Sequence, residues 1–238
     1  QLSDHIYGTD LDNANVSSDA QIQGLAQLSN IADAATTEGT STAKADVEHL
    51  HGAWLDDLKI GGVASIAGQA SLDNDGLAET VVGTSIADAY SDEVDGLDAN
   101  YVKIASDAQL TGLSNVDLLA SAQSTSDGEA KAFSEIDSEG ADLDDIKIGG
   151  VATIGGQSTT ISGAQAVNVE GDAKADETTY SAEGLNASEV KVASDATLQG
   201  IVDATSSASS STTDGQAVAT GEVNWAEGAD LYRTEIGG

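Results

Sequence analysis

The sequence predicts a repeat solenoid, strand-dominated with short helices, in which parallel strands stack coil on coil. Three observations point there. The chain repeats itself every 44 residues from one end to the other. Stretches such as Val102-Lys103-Ile104 alternate apolar, polar, apolar at one phase of that period, as short strands do. Glycines recur at two further phases, where tight turns need positive φ or close backbone approach. A fixed period of this size marks units that bury their apolar faces on their neighbours.

In chain order, the period gives a partial repeat at 1–14, full repeats at 15–58, 59–102, 103–146, 147–190 and 191–234, and the start of another at 235–238. Each full repeat opens on a polar residue followed by an apolar one: Asn15-Val16, Lys59-Ile60, Lys103-Ile104, Lys147-Ile148 and Lys191-Val192. A turn glycine follows at Gly39, Gly83, Gly171 and Gly215, with Gly128 displaced by one residue. The next landmark is an acid or another residue before Gly, as in His51-Gly52, Asp95-Gly96, Glu139-Gly140 and Glu183-Gly184. A longer period of 88 lies over the first: Gly61-Gly62 and Gly149-Gly150 stand in alternate copies, Ser17-Ser18 and Ala105-Ser106 in the others. Alternate copies are therefore expected to face different neighbours. Both chain ends fall inside a repeat, and position 1 is not Met, so the expectation is a window from a longer array or a subunit completed by its neighbours.

The local signals leave two architectures open. Ser106-Asp107-Ala108-Gln109 has a capping-box pattern, and Ile22, Leu25, Leu28 and Ile31 step by three, as a helix face does. Tyr90 to Val94 also reads as the start of a short helix. Val151-Ala152-Thr153-Ile154-Gly155-Gly156 reads as strand, since each glycine costs a helix about 1 kcal/mol. An α/β solenoid and a pure β-solenoid both fit. In either, the core ladder runs through Val16, Ile22, Leu58, Ile60, Ile66, Val102, Ile104, Leu110, Ile146, Ile148, Ile154, Val190, Val192 and Leu198.

Composition narrows the function. Asp and Glu number 41 against 8 Lys and Arg, a net charge of -33. Such a surface repels nucleic-acid phosphates and anionic lipid headgroups. No apolar run approaches the roughly 20 residues of a membrane helix. Without cysteine there is no disulfide framework and no thiolate metal site. No P-loop, Gly-x-Ser-x-Gly or Cys/His pair is present, so no catalytic residue is assigned.

Two groups bear on metals. Asp73-Asn74-Asp75-Gly76 is an acidic turn with alternating oxygen ligands, which makes Asp73 and Asp75 the candidate calcium ligands. His49-Leu50-His51 lies beside Asp46 and Glu48, but other copies carry Glu93/Asp95 and Asp137/Glu139 at the same phase. The sequence shows no convergent third ligand there, which favours a solvated acidic face. Trp54 is expected to pack over the apolar side of a turn. Asn15-Val16-Ser17 and Asn186-Ala187-Ser188 match the glycosylation sequon.

The Ser/Ala-Asp-Ala turns, the Thr/Ser/Asp/Gly/Ala bias and the Val-x-Ile strands resemble the tandem repeats of very long secreted surface proteins and adhesins of marine bacteria, cyanobacteria among them. That resemblance implies an extracellular or cell-surface filament, sheath, surface layer or adhesin stalk stiffened by calcium, with surface glycans as a partner of the adhesin version. The leading expectation is a structural protein whose partners are copies of itself. The alternative is an adhesin stalk or a ligand-binding solenoid module.

Overall fold

The computed structural model describes residues 2–237, and the side chains of residues 5–237. Among these residues every regular element is a strand: β1 (Leu2–Asp12), β2 (Asn15–Val16), β3 (Ala20–Asp56), β4 (Lys59–Ile60), β5 (Ala64–Asn100), β6 (Lys103–Ile104), β7 (Ala108–Ser124), β8 (Glu129–Asp144), β9 (Lys147–Ile148), β10 (Ala152–Asn168), β11 (Asp172–Ser188), β12 (Lys191–Val192), β13 (Ala196–Ser211), β14 (Ala217–Val223), β15 (Ala226–Tyr232) and β16 (Glu235–Ile236). The pure β-solenoid is thus the architecture adopted.

One coil is one 44-residue repeat. It runs out along an arm such as β7, turns at a glycine, returns along an arm such as β8, rounds a corner and adds a two-residue edge strand. β3 and β5 hold both arms in one unbroken strand that passes through the turn. All pairing is parallel, residue n against n+44 over most of the length: Ala64 on Ala108, Ala108 on Ala152, Lys103 on Lys147. Parallel strands lie about 4.8 Å apart, so each coil advances the stack by that amount. The turn glycines Gly39, Gly83, Gly128, Gly171 and Gly215 all have positive φ, as their phase predicts. The opposite corner is turned by residues that are not glycine: Asn13, Asp57, Tyr101, Asp145, Glu189 and Arg233 all have φ between 44° and 54°.

The two arms face each other across a thin core, so side chains alternate in and out along each. At the corner end, Leu58, Ile60, Ile66, Val102, Ile104, Leu110, Ile146, Ile148, Ile154, Val190 and Val192 form one buried cluster, with Val16, Ile22 and Leu198 packed on it. The predicted ladder is therefore the core. Full burial of each such side chain is worth roughly 1.5–3 kcal/mol. Next comes a pinch where Gly68, Gly112 and Gly156 meet the opposite arm backbone to backbone. Beyond it lies a second cluster around Val47, Leu50, Leu72, Val94 and Ile136. The turn end is filled by alanine, among them Ala87, Ala89, Ala130, Ala132, Ala173 and Ala175.

The short helices are the part of the expectation that the structure overturns. Ile22 and Leu28 lie on the inner face of β3, while Leu25 and Ile31 point outward, 56% and 50% exposed. Tyr90 to Val94 lies inside β5. The capping-box acids cap a neighbouring coil: Asp19 Oδ1 accepts from Val63 N–H and Asp107 Oδ1 from Val151 N–H, both at 2.9 Å. The stack pairs each arm's N–H and C=O groups with the coils on either side, meeting through distant residues the same backbone demand a helix would meet locally.

Those two acids also account for the 88-residue period. Any side chain at Gly62 or Gly150 would collide with the carboxylate of Asp19 or Asp107 on the adjacent coil. Gly-Gly coils lie on Ser-Asp coils, and the second glycine makes room for the cap. A second local adjustment keeps the period constant. The third repeat has one extra residue in its turn, since Gly128 lies 45 residues from Gly83. It has one fewer in its returning arm, where pairing shifts between Ser91/Val94 and the Ile136/Ser138 beneath them. Other returning arms bulge there, with two residues between inward-facing Ser91 and Val94, and this arm has only Asp137 in the gap.

Candidate functional site

Buried serine, threonine and asparagine side chains are spread along both arms, but three of the buried titratable ones, His51, Asp95 and Asp98, gather at one place on the returning arm, beside the glycine pinch. Gly52 and Gly96 drop out of the inter-coil ladder, which runs from His51 on Asp95 to Ala53 on Leu97. Two inward positions follow one another there, and the outward residues on either side, Asp95 and Asp98, converge. The 44-residue register places His49 against Glu93 and His51 against Asp95.

The result is a cluster drawn from two coils. Ligand atoms of His51, Glu93, Asp95 and Asp98 all lie within 4.8 Å of one another. His51 Nδ1 is 3.3 Å from Asp95 Oδ2 and 3.8 Å from Asp98 Oδ2. His51 is 3% exposed and Asp95 1% exposed, and neither His51 Nδ1 nor Asp95 Oδ1 has a hydrogen-bond partner. His49 Nδ1 and Glu93 Oε2 share a hydrogen bond of 2.7 Å. His5 stacks on His49 with ring centroids 4.4 Å apart, and Tyr7 on His51 at 5.3 Å. Trp54 is tilted against Tyr7 at 5.9 Å, and its side chain hydrogen-bonds Asp98.

The file continues as carboxylates alone, through Asp137, Glu139 and Asp142 in the third repeat to Glu183 in the fourth. Burial sets the protonation of the file. It lowers His51 to about 4, so the imidazole is neutral at pH 7. It raises Asp98 to about 7 and Glu139 to about 9, with Asp142 the next contributor to both. Asp95 is pushed well above the carboxylate range by burial and by Glu139 and Glu93. Burial also works to raise Glu93, but the hydrogen bond from Asp95 and the nearby histidines outweigh it, leaving Glu93 low. Asp95 and Glu93, their titration shifted in opposite directions, are joined by a side-chain hydrogen bond.

The solvated-face reading is corrected for His51, which is buried against acids of the next coil, while His49 remains half-buried. The clue in the sequence was that 51 and 95 differ by one period, which stacks a histidine directly on an acid. Asp98 carried no such clue, because only the kink at Gly96 turns it toward His51. Trp54 packs on Tyr7 and Asp98.

Asp73 and Asp75 lie elsewhere, on the outer face of β5 on either side of inward-facing Asn74. Asp73 stacks on Asp117 of the next coil and accepts a 3.4 Å hydrogen bond from Ser29 Oγ. Among the described residues they are not part of any group that brings three metal-ligating side chains together. Asn74 itself is buried and donates to the carbonyls of Ala45 and Tyr90 at 2.9 and 2.8 Å. Comparison with family models, with curated proteins and with solved structures finds no match to this chain.

Proposed function

We propose that the chain is a structural segment of an extracellular filament, sheath or surface layer, built by stacking 44-residue coils. The observation that supports this best is self-complementarity. The faces of every interior coil carry the same ladder of backbone donors and acceptors and the same Leu/Ile, Gly and Ala rungs, in one register. A face of this kind accepts another coil whether that coil belongs to the same chain or to a second copy. The proposed role is mechanical, with copies of itself as partner.

The charge pattern supports lateral order as well. Lys59, Lys103, Lys147 and Lys191 form a file along the edge strands of a chain with net charge -33. Their partners are local acids such as Asp57, Asp145 and Glu235. An edge bearing cations beside broad acidic faces favours side-by-side packing, which salt of about 0.15 M screens beyond roughly 8 Å. The extracellular setting agrees with the resemblance to secreted surface repeats noted above.

Electron microscopy with fibre diffraction tests the proposal. Native material is expected to form fibres with an axial reflection near 4.8 Å. Single particles at every concentration and salt level would overturn it.

A further inference from the structure

We propose that His51, Glu93, Asp95 and Asp98 form a binding site for one divalent first-row transition-metal ion of the zinc type, held between two adjacent coils. The argument rests on geometry and on groups left without partners. A tetrahedral ion with ligand bonds of about 2.0–2.2 Å has ligand atoms about 3.3–3.6 Å apart. His51 Nδ1 stands 3.3 Å from Asp95 Oδ2, one edge of such a site, and 3.8 Å from Asp98 Oδ2, a few tenths of an ångström from a second. Glu93 completes the set within 4.8 Å, and its longer side chain can close the remaining distance.

A buried imidazole nitrogen with no hydrogen bond is costly unless something else satisfies it. His51 Nδ1 is such an atom and faces three carboxyl groups, one of which also has an oxygen without a partner. One nitrogen and three oxygens select a borderline ion such as zinc over calcium, which takes six to eight oxygens in an open cage. The outer contacts fit the same use. His49 holds Glu93 through the 2.7 Å hydrogen bond, Trp54 holds Asp98, and Tyr7 covers His51 from the coil before. The ion would tie repeat 15–58 to repeat 59–102.

The test is calorimetric titration of Zn2+ into chelator-treated protein, read beside thermal unfolding and the visible spectrum of the Co2+ form. One equivalent is expected to bind at least about 100-fold more tightly than Ca2+, to raise the melting temperature and to give tetrahedral Co2+ bands. His51→Leu fills the buried site with an apolar side chain and should abolish tight binding while the chain still folds. His49→Gln should weaken binding about tenfold, as loss of a positioning contact does. Absence of saturable Zn2+ binding to the wild-type chain would overturn the proposal. So would unchanged affinity in a folded His51→Leu variant, or a Zn2+ affinity no greater than that for Ca2+.

Discussion

Gly155 and Gly156 are neighbours in β10, and the structure predicts opposite outcomes when each becomes alanine. A Cβ on Gly156 would overlap the Gly184 carbonyl oxygen and lie 2.8 Å from Gly184 C and 2.9 Å from Ala141 N. These are backbone atoms of two returning arms, so no rotamer change relieves the clash. Carbon contacts are most favourable at about 3.5–4.0 Å and the Gly184 oxygen would be only 1.8 Å away, so the arms must part by at least about 1 Å. A gap of that size forfeits a quarter to a half of a contact's attraction. Ile154, Leu143 and Leu185 pack beside the pinch, each worth roughly 1.5–3 kcal/mol. The lost packing is then about 1–4 kcal/mol, and overpacking strain adds about 1–3 kcal/mol. We expect Gly156→Ala to destabilise by about 3–5 kcal/mol, a fall of roughly 10 °C in melting temperature for a chain of this size. Gly155 is different: its Cβ would meet nothing closer than Gln199 O at 3.7 Å. Gly155→Ala should be neutral or stabilising by up to about 1 kcal/mol, because it restricts the unfolded chain. Urea and thermal unfolding of both variants decide the matter. A Gly156→Ala protein within about 0.5 kcal/mol of wild type would refute the pinch.

Two further outcomes follow from buried polar groups. Asn74→Ala removes the donor to the Ala45 and Tyr90 carbonyls and leaves a cavity, so a loss of about 2–3 kcal/mol is expected in urea unfolding; an unchanged midpoint would refute it. In metal-free protein, burial raises Glu139 to about 9 and Asp137 and Asp142 to about 6, so the folded state keeps protons that the unfolded chain has released. Bound protons then exceed those of the unfolded state from about pH 4.5 upward, and the stability these groups provide is lost as pH rises through 6 and then 9. The urea midpoint should be higher at pH 5 than at pH 8, each excess proton contributing about 1.4 kcal/mol per pH unit. A midpoint that climbs from pH 5 to 8 would contradict the burial of this file.

The period carried most of the fold. Knowing that residue n lies on n+44 fixes the ladder, the phase of Ile104 and Leu110 in the core, and the turn glycines. Helix and strand were harder to separate between Ala20 and Ile31, because alanine fits both and the apolar residues there mix inward Ile22 and Leu28 with outward Leu25 and Ile31. What decides for strand is hydrogen bonding to coils 44 residues away, which no local window contains. The left-handed corner was hidden for another reason: Asn13, Asp57, Tyr101, Asp145, Glu189 and Arg233 share a conformation but not a chemistry. The metal-type cluster was half visible. His51 over Asp95 follows from arithmetic, whereas the approach of Asp98 depends on a kink at Gly96 that period-2 alternation does not foresee.

The fit of Gly62 and Gly150 around the carboxylates of Asp19 and Asp107 restricts how such a gene can change length. Recombination between copies out of step by 44 residues would preserve the reading of every strand. It would also set two coils of the same kind against each other, either bringing side chains into the space of the Asp cap or leaving a glycine pair with no carboxylate to accept its neighbour's N–H. Exchange out of step by 88 residues leaves every cap in place. Natural arrays of this sequence are therefore expected to differ in length by pairs of coils, and an engineered array should be lengthened by the same step.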